Sequence, residues 1–295
     1  MVSSLEFVQP KSLAEALASK AEAPGAVPIA GGTDLLVELN FDRRRPELML
    51  DLGHVEELRT WSREGDSIRL GAGVTYTELV AQLAAELPGL AIASRTVGSP
   101  QIRNRGTVGG NLGTASPAGD ALPPLVASGA EVELQSAARG TRRHPVADWI
   151  QRPKHSVIEP DELIVAVHVP IARGPQQFSK IGTRNAMVIS VASFALSLDP
   201  VAKKVGTCIG SAGPTMLVAR EAQEFLEGAL AEVDGWESPA VLDGGVVARF
   251  GELVARAARP IDDVRGSAAY RRRALEVMAR RTLGWTWSEY QKAGH

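Results

Sequence analysis

The residues best suited to chemistry are crowded into one stretch of fourteen, TVGGNLGTASPAGD over 107–120. Glycine lets a backbone turn sharply and lets a ligand approach it closely. Successive free N–H groups then form a concave nest for an anion. The stretch carries no Lys or Arg, so a phosphate held here is held by N–H groups and hydroxyls. A second stretch, IAGGTDLL over 29–36, also follows apolar residues and also pairs two glycines with a short polar side chain. Neither fits strand–GxxxxGK[ST]–helix, because no Lys follows the glycines, and neither has GxGxxG spacing. One glycine-rich segment is as often a plain turn. Two of them suit a ligand with two linked phosphates gripped from two sides.

Other chemistries are absent from the pattern. No nucleophile–base pair stands out, so no catalytic residue is assigned. Histidines at 54, 144, 155, 168 and 295 lack metal-ligand spacing, so no metal site is assigned, and His168 reads as a strand residue in an apolar run. Cys208 is the single cysteine, which excludes an intrachain disulfide and a cluster held by four thiolates of this chain alone. A net charge of −2 leaves no electrostatic footprint for nucleic acid. The runs Arg43-Arg44-Arg45 and Arg271-Arg272-Arg273 read as solvated faces or partner contacts. The opening MVSSLEFVQPKSL lacks the basic and apolar regions of a signal peptide. No apolar run approaches the ~18 residues of a membrane span, and a cytoplasmic protein is expected.

The elements that position the two glycine stretches fall into three units. In residues 1–57, Phe7 to Pro10 is edge-like, Ser12 to Glu15 has the form of a capping box, and a helix ends at Pro24-Gly25. Val27 to Ala30 forms a strand into the first glycine stretch, and Leu48, Leu50 and Leu52 alternate as a half-buried strand. In residues 58–172, Ile68 and Leu70 lead into Gly71-Ala72-Gly73. Thr75 to Glu78 is a second capping box, opening a helix through Leu79, Leu83 and Leu87 that Pro88-Gly89 is expected to stop. Residues 97–105 deliver the chain to the main glycine loop, and a short helix from Asp120 to Ser128 ends at Gly129. Val132 and Leu134 mark one strand. Leu163, Val165, Val167 and Val169 mark another with one well-buried face. After a linker at Arg173 to Gln176, residues 176–284 hold a strand over Ala192–Leu198, an antiparallel partner over Val205–Gly210, and helices near 218–230, 244–258 and 267–283.

AGGTDLL (30–36) and TVGGNLGTASPAGD (107–120) together resemble the FAD-binding medium subunit of the molybdenum hydroxylases, the flavoprotein part of xanthine dehydrogenase, carbon monoxide dehydrogenase and related enzymes. Leu70 to Thr75, Phe178-Ser179-Lys180 and the run DVRGSAAYR over 263–271 match further family landmarks in the same order. The resemblance implies an α+β protein. A two-part FAD-binding domain of the vanillyl-alcohol-oxidase-like (PCMH) type comes first, then a smaller α+β domain of antiparallel sheet and helices. It also implies partners: a large molybdopterin-binding subunit and a small subunit with [2Fe-2S] clusters, assembled as a dimer of heterotrimers. Electrons would pass from the clusters through FAD to NAD, a quinone or another acceptor. The cysteine-free main loop separates the chain from relatives that carry a four-iron cluster there. A freestanding flavin oxidoreductase and a non-enzymatic flavin-binding module remain alternative readings.

With FAD as ligand, backbone N–H groups from Ala30 through Gly31, Gly32, Thr33 and Asp34 to Leu35, and from Val108 through Gly109 and Gly110 to Asn111, would hold the pyrophosphate. Hydroxyls of Thr33, Thr107 and Thr114 would add hydrogen bonds, and Asn111 would bond phosphate or flavin edge. Asp120 would accept from ribose hydroxyls or cap the short helix. The resemblance further implies apolar contacts from Val97 and Ile164, and a Lys180 cation near the isoalloxazine.

Overall fold

The structure is a computed structural model that describes residues 5–293. Residues 1–4, on which part of the leader reading rests, and His295 lie outside the described residues.

The N-terminal unit comprises β1 (Glu6–Val8), α1 (Leu13–Glu22), β2 (Val27–Ile29), α2 (Leu35–Asn40) and β3 (Leu48–Asp51). Its strands form a parallel sheet in the order β1-β3-β2. Ser12 caps α1 by accepting from the Glu15 N–H. The Glu15 carboxylate reaches back one residue further than a capping box requires, to the Lys11 N–H. Ala16 and Leu17 on α1 bury against Leu50, Val55 and Leu58.

The second unit runs through β4 (Trp61–Glu64), β5 (Ser67–Gly71), α3 (Tyr76–Gln82), α4 (Pro88–Arg95), α5 (Pro100–Arg103), α6 (Val108–Thr114), α7 (Leu122–Ala127), β6 (Glu131–Ser136), β7 (Gly140–Pro145), β8 (Ile150–Arg152), β9 (His155–Ser156) and β10 (Glu162–Pro170). Its main sheet is antiparallel in the order β4-β5-β10-β6-β7. Thr75 and Glu78 form a complete capping box on α3. Pro88 does not stop that helix. α3 ends at Gln82, and Pro88 stands at the first position of α4, where its missing N–H is no loss.

The row Leu163, Val165, Val167, Val169 does not bury one face. Leu163 and Val165 pack into the N-terminal core, whereas Val167 and Val169 join the core under α3–α7. A register shift between Ile164 and Ala166 separates them. The extra residue reverses the side-chain alternation, and the Val165 carbonyl is taken by the Ala72 N–H. His168 lies on β10, buried, with Nε2 2.5 Å from Glu133 Oε2.

The third unit comprises β11 (Gln176–Ile181), β12 (Ala192–Asp199), β13 (Lys204–Gly210), α8 (Arg220–Glu232), α9 (Gly244–Ala257) and α10 (Ala268–Lys292). The strands form an antiparallel sheet in sequence order. Phe194, Leu196 and Leu198 face the three helices, while Ala195 and Cys208 face the second unit's core. α10 runs past the expected end at 283 to Lys292. Gly284 lies inside it because Leu283, Thr286, Trp287 and Tyr290 remain buried on the packed face.

Among the described residues no helix is long and apolar enough to cross a membrane. No group of His, Cys, Asp and Glu among them could hold a metal ion.

Candidate functional site

The two glycine stretches meet at one cleft of about 930 Å³ between the first and second units. Each is pressed against neighbouring chain at a glycine. A Cβ on Gly31 would lie 1.8 Å from the Arg105 carbonyl oxygen, and one on Gly109 would lie 2.5 Å from the Ala72 Cβ and carbonyl oxygen. Gly32 adopts φ +76°, the left-handed turn that starts α2. Thr114 Oγ1 bridges the stretches, 3.1 Å from Asp34 Oδ2 and 3.0 Å from the Gly110 carbonyl.

The first stretch is a nest. Among the described residues, the N–H groups of Gly31, Gly32, Thr33, Asp34 and Leu35 donate to no protein acceptor. The second is not a loop throughout. α6 begins inside it, capped by Thr107, whose hydroxyl accepts from the Gly110 N–H at 2.9 Å. Gly109 N–H donates to Ala72 and Asn111 N–H to Thr107. Gly109 is there for packing α6 against the 71–73 turn, where a Cβ would strike Ala72. Of the four N–H groups expected to hold phosphate, only that of Val108 has no acceptor among the described residues, and the Val108 side chain is fully buried.

Ala30 to Leu35, Val97, Thr107, Gly109 to Asn111, Thr114, Asp120 and Ile164 all line the cleft; Val108 and Lys180 do not. Asp120 and Lys180, 60 residues apart, meet each other. Lys180 Nζ donates to Asp120 Oδ2 at 2.6 Å, to the Thr96 carbonyl at 3.0 Å and to the Val188 carbonyl at 3.2 Å. Its charge is neutralised at Asp120 and is not presented to the cleft as a free cation. Ser190 Oγ donates to Asp120 Oδ1 at 2.5 Å. Burial pushes the Asp120 carboxyl above the usual range, against the pull of Lys180, Ser190 and Thr96. Asp120 caps no helix, because the residue preceding α7 is Ala121.

The cleft also gathers residues that the sequence pattern did not assign. Arg43 and Arg105 line it and form no ion pair among the described residues. Lys20 lines it from α1, buried, with Nζ 2.8 and 2.7 Å from the carbonyls of Pro24 and Ala26; desolvation lowers its pKa. Tyr76 Oη and Asn111 Oδ1 are buried polar atoms without a hydrogen-bond partner, both on lining residues. A buried polar atom left unpaired is costly. Two of them beside a nest of five free N–H groups and two unpaired guanidiniums fit a large polar anion such as a dinucleotide. The Arg43 signal was visible as a basic run; Tyr76 was hidden by its place in a capping box.

The comparisons with known proteins agree with this geometry. Residues 3–172 match the family described as the FAD binding domain in molybdopterin dehydrogenase, and residues 177–286 match the CO dehydrogenase flavoprotein C-terminal domain. The chain belongs to this family of FAD-binding flavoprotein subunits of molybdenum hydroxylases. It is 35% identical over 241 residues, 76% of this chain and 80% of the relative, to the nicotinate dehydrogenase FAD-subunit of Eubacterium barkeri. It is 29% identical to the carbon monoxide dehydrogenase medium chain of Afipia carboxidovorans, covering 95% of this chain and 96% of that one. A crystal structure of the Cu,Mo-CO dehydrogenase superposes with a TM-score of 0.87 at 28% identity, over 98% of this chain and 99% of that one.

Proposed function

We propose that this chain is the electron-transfer subunit of a molybdenum hydroxylase. It holds FAD in the cleft, receives electrons from [2Fe-2S] clusters on a small partner subunit, and delivers them to NAD, a quinone or another acceptor. Substrate is oxidised at a molybdopterin centre on a large partner subunit, and the assembly is a dimer of heterotrimers in the cytoplasm. The single observation that carries the reading is the nest of five free N–H groups facing α6 across one cleft. Relatives named as medium chains or FAD-subunits support the partner assignment.

Bound FAD supplies the redox chemistry, and the protein supplies binding, orientation and field. Gly31 to Leu35 donate to the pyrophosphate, with Arg43 and Arg105 balancing its charge. Tyr76 and Asn111 complete hydrogen bonds that the chain leaves open. Val97 and Ile164 offer apolar contact to the flavin. Asp120 and Lys180 act as a pair that holds the 188–190 segment against the cleft.

The test is the visible absorption spectrum of the purified chain, with mass analysis of what denaturation releases. Flavin bands and released FAD are expected. A folded chain that stays colourless after incubation with FAD refutes the reading.

A further inference from the structure

The connection between β11 and β12, residues 182–191, reaches from the third unit onto the cleft. Met187, Val188 and Ile189 line it there, and Met187 and Ile189 are 55% and 60% exposed. Met187 holds φ +50°, a conformation that a non-glycine residue keeps only where its surroundings enforce it. Two groups already described fix the segment: Lys180 on the Val188 carbonyl, and Asp120 on the Ser190 hydroxyl. A third grips its neck. The run 271–273 reads in the sequence as a solvated face or a partner contact, and Arg272 and Arg273 are exposed, but Arg271 is only 2% exposed. Its Nη1 donates to the carbonyls of Val191 and Ser211 at 2.6 Å each, and its Nη2 donates to Asp263 Oδ1 at 2.6 Å.

We propose that Arg271 is a positioning residue for the flavin: through the Val191 carbonyl it sets where the Met187–Ile189 wall stands against the bound ring. The inference rests on the proposed function. Asp263 alone supplies the counter-charge that a buried guanidinium needs, so the two carbonyls are additional partners, and both belong to chain that runs to the cleft. Val191 closes the segment's neck, its own N–H donating to the Ile181 carbonyl at 2.8 Å. The Ser211 N–H donates to the Pro117 carbonyl at 2.8 Å, and Pro117 leads into Ala118, Gly119 and Asp120 on the cleft wall. One planar fork therefore sets the spacing of two wall segments. The wall stands at the end of the cleft assigned to the flavin. Lys180, which holds Val188, also holds the Thr96 carbonyl, and Val97 beside it is an apolar contact proposed for the ring. Two exposed apolar side chains at that place suit the face of a planar ring and keep water from it.

The test uses the full chain loaded with FAD. Arg271→Lys keeps a charge for Asp263 and loses the fork. The readouts are FAD affinity by equilibrium dialysis, visible circular dichroism of the bound flavin, and amide hydrogen exchange over 183–190. Affinity should fall about tenfold, the worth of one lost hydrogen bond, with altered flavin bands and faster exchange. Leu230→Ala, a buried truncation beside the Gly235 turn, is the control for general destabilisation and should leave all three readouts at wild type. Ile189→Ala should also weaken binding about tenfold. Combined with Arg271→Lys it should cost less than the product of the two, because both act through one wall. Where Arg271→Lys does not fold, Gly266→Ala, whose Cβ would press Val191 Cγ1 at 3.1 Å, displaces the same neck and carries the same expectation of altered bands. Wild-type affinity and bands in the neck variant overturn the inference. So do equal losses in Leu230→Ala, or a double variant whose losses multiply. A wild-type chain that binds no FAD instead overturns the proposed function.

Discussion

Replacing Gly31 by Ala tests the cleft at its tightest point. The new Cβ would start 1.8 Å from the Arg105 carbonyl oxygen and 2.5 Å from its carbon, where ordinary contact begins near 3.4 Å. The obstacle is backbone, so no rotamer change relieves it, and Gly31 and the Arg105 carbonyl must part by about 1.6 Å. Overpacking of this kind costs about 1–3 kcal/mol, and the upper half of that range is expected for the apo chain. The same displacement takes the nest away from its ligand. Loss of two charge-assisted N–H to phosphate bonds at about 1.5 kcal/mol each lowers FAD affinity on the order of 100-fold. The assays are urea unfolding of the apo chain and equilibrium dialysis against FAD. Two companions separate the causes. Gly25→Ala meets nothing within 4 Å and should be neutral or slightly stabilising. Gly32→Ala pays for φ +76° with about 1–2 kcal/mol of strain. A Gly31→Ala chain with wild-type FAD affinity and an unfolding midpoint matching that of Gly25→Ala would refute the geometry.

Lys180→Met strands the buried Asp120 carboxylate, and urea unfolding at pH 7 should show a loss of about 3–5 kcal/mol; adding Asp120→Asn should recover more than half of it. Tyr76→Phe removes a buried hydroxyl that has no protein partner, so apo stability should hold or rise by up to about 1 kcal/mol, while FAD binding weakens by up to about tenfold. Asp263 is held at about pKa 2, since the Arg265 N–H and the charges of Arg271 and Arg265 outweigh its burial. The folded pKa is depressed, so its contribution is present above pH ~4 and is lost as pH falls through 2. Allowing for solvent screening, wild type should be more stable than Asp263→Asn by about 1–2 kcal/mol at pH 6 and should lose that lead by pH 2. Cys208 is fully buried and its thiol is pushed up by desolvation; thiol reagents should modify it only in denaturant, on the timescale of unfolding.

Local signals in the sequence were read well where a single residue decides the geometry. Thr75 and Glu78 specify their cap without help from the rest of the chain, and the Gly31-Gly32 turn announces itself. Signals with two meanings were read less well. Proline after a leucine row can end one helix or begin the next, and at Pro88 it begins one. Glycines at 109, 110 and 113 weaken a helix by propensity, yet α6 forms, capped by Thr107, and close packing on Ala72 leaves no room for a Cβ at 109. The β10 bulge has no signature in a row of four alternating apolar residues; the Val165 carbonyl at it accepts from the Ala72 N–H, a contact that only the folded chain makes. Asp120 and Lys180 were each assigned to the ligand, and their pairing was not legible because only the folded third unit brings β11 to Thr96. Arg105 and Lys20 carry no motif, and their place in the cleft follows from tertiary structure alone.

The family models divide this chain near residue 172, but the molecule does not come apart there. Phe178, Ala195, Cys208 and Met216 are built into the same apolar core as Leu90, Leu125 and Trp149. A Cβ on Gly206 of β13 would strike the Ala127 carbonyl on α7 at 1.9 Å. The unit of inheritance is therefore smaller than the unit of cohesion. A C-terminal domain transplanted from a relative must match the α4 and α7 face side chain for side chain, and the boundary that sequence comparison draws is a poor place to cut.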